Sequence, residues 1–434
     1  MLSAFANAFR IPELRGKILF TLAIIAVYRL GSHLPVPGVD FDAVQNYLQN
    51  PAQDTSGAFT LINLFSGGAL TQFAIFALGI MPYITSSIIM QLLGVVIPRL
   101  EQLQKEGETG RKKIQQYTRY VTVFLAVLQS ASIVQLAHNE GILPLDIFPN
   151  LSPGTFALAV LTLTAGTALI MWLGELITQR GVGNGMSILI FSAIVSTLPS
   201  EGANILRVNK GFVFGLVCFL GLLIVVAVIF VEQAQRRIPV QYAKRMVGRK
   251  MYGGQSTYIP LKVNQAGVIP IIFASSLLYI PVLLSSIVNK QWLTDLTERF
   301  ARTGSHPLYI ISYFLLIIGF AYFYNSIAFN PVDTADNMKK YGGFIPGIRP
   351  GRQTAEHLNY ILTRITLPGA VFLGAVAILP FIALAAGNVQ QFPFGGTSIL
   401  ITVGVGLETM KQIESQLTMR NYEGFLKPAK GLLR

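Results

Sequence analysis

"LINLFSGGALTQFAIFALGIMPYITSSIIMQLLG", Leu61 to Gly94, carries no charge, yet Ser66-Gly67-Gly68 interrupts it after a short apolar piece. A bilayer core asks for about 20 apolar residues in one helix, so Leu61 to Phe65 is too short to span and Gln72 to Leu93 is long enough. The pattern predicts a short apolar helix set at the mouth of a full-length span.

The rest of the chain has the composition for that setting. It has 434 residues, 52% of them hydrophobic and 12% charged, with a mean hydropathy of +0.55. That is too apolar for a soluble protein and too long for one anchor, so a polytopic membrane protein is expected. The lone Cys218 excludes an intramolecular disulfide. Met1 to Arg15 is polar and basic, and no small-residue cleavage site precedes Pro35, which predicts a retained first helix.

Hydropathy predicts ten spans: Lys17 to Leu34, Gln72 to Leu93, Val121 to Ala137, Thr155 to Leu173, Val182 to Leu198, Phe212 to Phe230, Ala266 to Val288, Leu308 to Phe329, Ile365 to Ala386 and Thr397 to Met410. They are helices by length and by the need to satisfy backbone groups internally. Placing the N-terminus inside puts 27 of the 33 basic residues on the inner face and 5 on the outer, with Arg29 inside the first span near its outer end, where it can snorkel. Both termini are then cytoplasmic, and Leu61 to Phe65 lies on the outer side.

Inner basic loops usually set topology and meet lipid headgroups. Two exceed that need. The loop of 232–265 carries Arg237, Lys244, Arg245, Arg249 and Lys250 around Gly253-Gly254. The loop of 330–364 holds Arg349 and Arg352 among Pro346, Gly347, Pro350 and Gly351, which predicts a stiff tip. Both suit an anionic partner, either acidic protein or RNA backbone.

Other functions lose ground on what the spans lack. Ion-coupled transporters keep ionisable groups in mid-membrane, and apart from Arg29 no predicted span does. His33, His138, His306 and His357 fall in loops or at span edges, and no H-E-x-x-H, G-x-S-x-G or phosphate-loop motif is present, so neither an intramembrane hydrolase nor an ATPase is indicated. No metal or cofactor is called for. Small polar residues interrupt several spans, among them Thr85, Ser86, Ser87, Gln91, Gln129, Ser275, Ser276 and Asn325. Ser and Thr commonly serve close helix packing; Gln91 and Gln129 fit better at a seam that meets water.

Six stretches in order, "LFSGGALTQFAIFALGIMPYI", "KEGETGRKKIQQYTRY", "MWLGELITQRGVGNGMSI", "QSTYIPLKVNQAGVIPIIFASS", "NPVDTADNMKKYGGFIPGIRPG" and "FGGTSILI", resemble the SecY family of protein-conducting channels. The resemblance covers essentially the whole chain. It implies an all-α polytopic fold of ten helices in two inverted-repeat halves, 1–205 and 206–412, forming an hourglass channel, with a tail at 413–434. It implies a bacterial plasma-membrane channel and no enzyme, driven by the motor ATPase SecA or by the ribosome through its RNA and proteins. SecE and SecG would be the small partners, signal peptides and nascent polypeptides the cargo, and membrane lipids the surroundings.

Matched motif by motif, the resemblance places a constricting ring at Ile80, Ile84, Ile190, Ile272 and Ile401. Isoleucines in membrane proteins are otherwise packed core, so the motif match carries this assignment. An aliphatic ring offers ions no partner and deforms around any side chain. The plug would be about 58–68: Leu61, Ile62, Asn63, Leu64 and Phe65 packing beneath the ring, Ser66 following, and Gly67-Gly68 as the hinge. A lateral gate between spans two and three and spans seven and eight would include Thr85, Ser87, Gln91, Gln129, Ser275 and Ser276. Docking of SecA or the ribosome would fall on Arg237, Lys244, Arg245, Arg249, Lys250, Arg349 and Arg352.

Overall fold

A computed structural model describes residues 9, 11–40, 66–138, 152–208, 211–242, 245–247, 250–252, 256–288, 307–386 and 396–426. In chain order the elements are α1 (Pro12–Gly31), α2 (Met81–Val96), α3 (Pro98–Lys105), α4 (Glu108–His138), α5 (Pro153–Arg180), α6 (Gly185–Val208), α7 (Gly211–Gln233), β1 (Gln235–Tyr242), β2 (Arg245–Val247), β3 (Lys250–Tyr252), β4 (Ser256–Lys262), α8 (Ile269–Val288), α9 (Pro307–Ala328), α10 (Pro331–Lys340), β5 (Gly343–Phe344), α11 (Arg352–Ala386) and α12 (Gly396–Leu426). Among the described residues, four helical stretches are long and apolar enough to cross a membrane: Glu108–Gln135, Pro153–Arg180, Pro307–Lys340 and Arg352–Leu379. Gly185–Pro199, Cys218–Gln233 and Ile269–Leu278 are shorter apolar helices.

The predicted second span differs in a specific way. Its helix begins only at Met81, with Pro82 in the first turn where a missing N–H costs nothing. Residues 67–80 form consecutive turns instead. Phe73 there has φ of 43°, a left-handed geometry that a bulky side chain adopts only under constraint from its surroundings. α2 then meets α3 in a 101° bend. Pro98 explains the bend, because it forces Ile97 out of helical geometry, to φ −99° and ψ 111°. The region Arg99 to Arg119, which lies between the predicted second and third spans, is mostly helical: α3 and the first turns of α4 occupy it.

The chain divides into two compact units. The first comprises Met1–Phe214, Ser276–His306 and Ile401–Arg434. Its core joins the turn segment to two helices: Leu70, Phe73, Ala77 and Leu78 pack with Ile133, Val134 and Ala137 of α4 and Ala159 and Leu163 of α5. Gly166 makes this approach feasible, since a Cβ there would come within 2.2 Å of the Ile75 carbonyl oxygen. The end of α1 braces the same segment through an isolated bridge between Pro35 and Ala74, with Val36 N–H donating to Phe73 O and Ile75 N–H to Leu34 O. Elsewhere in this unit Ile18, Val182 and Ile413 form a small cluster that ties α12 to α1.

The second unit comprises Gly215–Ser275 and Pro307–Leu400. Beyond its helices it holds a three-stranded sheet in the order β4-β1-β5. β1 and β4 are antiparallel with Ile238 opposite Ile259 and Arg237 opposite Pro260. Alternation sends Ile238 and Val240 to one face, where they pack with Leu261, Met338 of α10, Ile345 and Leu358 of α11. α10 is locally specified. Asn330 caps it by accepting from Val332 and Asp333 N–H, Pro331 opens the first turn, and Lys339 and Lys340 sit in the last turn where the helix dipole favours cations.

Candidate functional site

Leu61, Ile62, Asn63, Leu64 and Phe65 lie outside the described residues. The base of that segment, Ser66-Gly67-Gly68, is described and is held firmly. Ser66 is fully buried, and its hydroxyl accepts from Leu70 N–H at 3.2 Å. Thr71 donates to the Gly68 carbonyl at 2.8 Å. Arg29 of α1 donates from a guanidinium nitrogen to the Gly67 carbonyl at 3.2 Å, and the Tyr28 hydroxyl reaches the Ser66 carbonyl at 3.5 Å. Arg29, expected near a span end, thus has a backbone partner, and the Gly67 carbonyl, which has no helical partner, is satisfied by it.

The aliphatic residues matched to the ring are shielded. Ile80, Ile190, Ile272 and Ile401 are buried, and Ile84 is half-buried. Ile80 is the residue before α2, and Ile84 N–H donates to its carbonyl, which fixes the two one turn apart.

The polar candidates for a seam divide by what they bond. Thr85 donates back to Met81 O within α2, a contact that satisfies the hydroxyl locally. Ser86 donates across to Thr118 O of α4 at 2.7 Å. Ser275 donates to Ile272 O. Gln129 and Ser276 are buried, Gln91 is half-buried and Ser87 is exposed. Ser87 lines a cleft of 270 Å³ with Tyr83, Gln104, Arg111, Ile114, Gln115 and Thr118.

Sequence reasoning missed a polar cluster beside that cleft. Glu175 of α5 accepts from Arg119 at 2.8 and 2.6 Å and from Gln115 at 3.0 Å. Its partners stand 56 and 60 residues away. The one available signal was a carboxylate just past the end of an apolar span.

Among the docking candidates, Arg237 lies over the Tyr258 ring with 4.9 Å to its centroid. The two are diagonal neighbours on the outward face of the hairpin, a cation–π geometry. Arg245 and Lys250 fall on the short antiparallel pair β2-β3, while Lys244 and Arg249 lie outside the described residues. The Arg349 tip is built as its prolines and glycines suggest. Ile345 is buried at its base, Ile348 N–H donates to Ile345 O, and Thr354 holds the Arg349 carbonyl at 2.9 Å. The Arg349 side chain is exposed. Arg352 pairs with Glu356 one turn along α11.

Comparisons with known proteins give the family. The family profile described as SecY matches residues 74–410. A protein translocase subunit SecY of Streptomyces galbus is 60% identical over 439 residues, covering 98% of this chain and 100% of its own. Among solved structures, one described as a SecY protein whose plug domain stabilises the closed state and maintains a membrane seal matches with a TM-score of 0.63 at 18% identity, over 98% of this chain and 99% of its own. Sec61 from a canine ribosome–channel complex matches with a TM-score of 0.61 at 18% identity, over the same shares. Identities this low speak for the fold alone, whereas the profile and the close relative speak for descent: the chain belongs to the SecY family.

Proposed function

We propose that this chain is the pore-forming subunit of a bacterial protein translocase, passing unfolded polypeptides across the plasma membrane and releasing apolar segments sideways into lipid. The observation that carries the reading is the near-complete match to a named translocase subunit at 60% identity. Ten spans in two inverted halves, 1–205 and 206–412, would form the hourglass, with both termini cytoplasmic. The four long apolar stretches and the bent α2–α3 pair support a multi-pass chain.

Ile80, Ile84, Ile190, Ile272 and Ile401 would form the seal. An aliphatic constriction of this kind excludes water and ions when closed. Leu61 to Gly68 would be the plug, a reading supported by the description of the plug domain in a structural relative. Thr85, Ser87, Gln91, Gln129, Ser275 and Ser276 would line the lateral gate, where a nascent helix partitions between water and lipid.

Work would come from SecA or a ribosome, with SecE and SecG as small partners. The sheet and its Arg349 tip form a shaped basic surface, and a relative with this fold occurs in a ribosome–channel complex. Guanidinium groups suit such a surface because they bind carboxylate and phosphate through two bonds at once.

The test is reconstitution in proteoliposomes with the small partner and the motor ATPase. An unfolded export substrate becomes protease-protected on adding ATP if the reading holds. Saturable uptake of a small solute, with no protected polypeptide, would replace the channel by a transporter.

A further inference from the structure

Arg364 is the last charged residue of α11, since Ile365 to Ala386 carry none. Its side chain is exposed, and its guanidinium carbon lies over the Tyr360 ring, 4.7 Å from the centroid. Stacking holds the planar group by its face and leaves its N–H edge for a partner. Among the described residues no carboxylate pairs with it. A permanent cation thus stands at the edge of an apolar stretch with no protein anion to meet.

The surface that adjoins it is apolar on two neighbouring helices. On α11, Tyr360, Arg364, Leu367 and Val371 follow helical spacing down one face, and Leu367 and Val371 are exposed. On α9, the exposed Ile311 and Leu315 share a face with Gly319 and Tyr322. A Cβ at Gly319 would meet nothing within 4 Å, so that face has open room. The Tyr322 hydroxyl donates to the Thr363 carbonyl at 3.3 Å, which brings the two faces side by side next to Arg364. Asn325 donates to Thr366 at 2.8 Å and pins the same helix pair internally.

We propose that Arg364, with Tyr360 and Tyr322, binds the phosphate of an acidic phospholipid whose acyl chains lie along Leu367 and Val371 of α11 and Leu315 of α9. A guanidinium grips phosphate through two parallel bonds, and tyrosines sit well at the level of headgroups. The chemistry favours an acidic lipid over a zwitterionic one. Glu356, the carboxylate two turns back along α11, is already paired with Arg352, and one face of Tyr360 is taken by Arg364, so a choline group finds no counter-charge here. Free phosphate would satisfy Arg364 but leave both apolar faces bare. The site needs only that α9 and α11 cross the bilayer, whatever the channel carries.

The experiment reconstitutes the purified protein with its small partner in phosphatidylcholine vesicles containing a trace of photoactivatable phosphatidylglycerol or photoactivatable phosphatidylcholine, and maps the adducts to peptides of α9 and α11. The proposal predicts that phosphatidylglycerol labels these peptides in preference to phosphatidylcholine. Arg364→Gln should lower that preference about fivefold, the scale of one cation near an anionic headgroup. Lys340→Gln, which removes an exposed cation from the last turn of α10, should leave it unchanged.

Equal labelling by the two lipids overturns the site, because the helices would then meet only a general lipid annulus. A preference that survives Arg364→Gln, or one that falls equally in Lys340→Gln, overturns it too. Loss of labelling on adding excess inorganic phosphate at constant ionic strength would replace the lipid by a free anion, whereas unchanged labelling supports the lipid. No labelling by either probe would remove the membrane placement of α9 and α11, and the site with it. Should Arg364→Gln fail to accumulate, Tyr360→Leu removes the stacking platform and keeps the charge; a reduced preference supports the site, and the parental preference contradicts it.

Discussion

The carboxylate of Glu175 receives Arg119 in two parallel hydrogen bonds, 2.8 and 2.6 Å long, joining α5 to α4. The Glu175 side chain is 10% exposed and that of Arg119 38%, so one end of the pair is desolvated and the other is wet. Breaking a buried pair costs several kcal/mol, an exposed one under about 1. Glu175→Gln should therefore lower stability by about 1–3 kcal/mol, read as a lower melting temperature of the detergent-purified protein. Exchanging the two residues in a double variant should recover part of that loss, and no recovery would mean the pairing itself contributes little.

Deleting residues 60–65 should leave a folded protein that leaks ions. The deleted residues include the apolar ones that the plug reading packs beneath the ring. Ser66 and Gly67 remain pinned by Tyr28 and Arg29, so the core around Phe73 has no reason to collapse. An ion-tight channel with no substitute segment in the pore would count against the plug.

Arg349→Glu should cut motor-driven export by at least about tenfold, the effect of reversing a charge at a docking contact, while membrane levels stay normal. The tip is held from below by Ile345 and Thr354, which leaves the exposed guanidinium without a structural duty. Unchanged export at normal levels would end that role.

Asn330→Ala removes the two backbone bonds that start α10 and should cost about 0.5–2 kcal/mol locally. Because α10 supplies Met338 to the core of the sheet, proteolysis of the 232–265 and 330–364 region should quicken. Wild-type cleavage rates would show that tertiary packing alone holds the helix.

The sequence disclosed the long helices well, because an apolar run of sufficient length has few other ways to satisfy its backbone. It also disclosed the Arg349 tip, where proline and glycine punctuate polar sequence, whereas the strands of 235–262 were expected only as a basic loop. It failed where chemistry gave no contrast. Residues 72–80 are as apolar as the helix that follows, so hydropathy merged turns and helix into one span; Gly79 and Pro82 were the available break signals. In the other direction, "ETGRKKIQQYTRY" is polar but contains no breaker after Gly110, and α4 runs through it without interruption. The contacts of Arg29 and Glu175 were invisible for a different reason. Each depends on a partner 38 to 60 residues away, a separation that one sequence does not encode locally.

The most direct test of the central claim places a photo-crosslinking amino acid singly at Ile84, Ile190 and Ile272, with a control at the exposed Phe219, and stalls an export substrate partway across. A polypeptide channel lined by the aliphatic ring predicts adducts with the substrate at all three isoleucine positions and none at Phe219. Efficient translocation with no adduct at any isoleucine position would contradict it, because the chain would then be crossing somewhere other than through this ring.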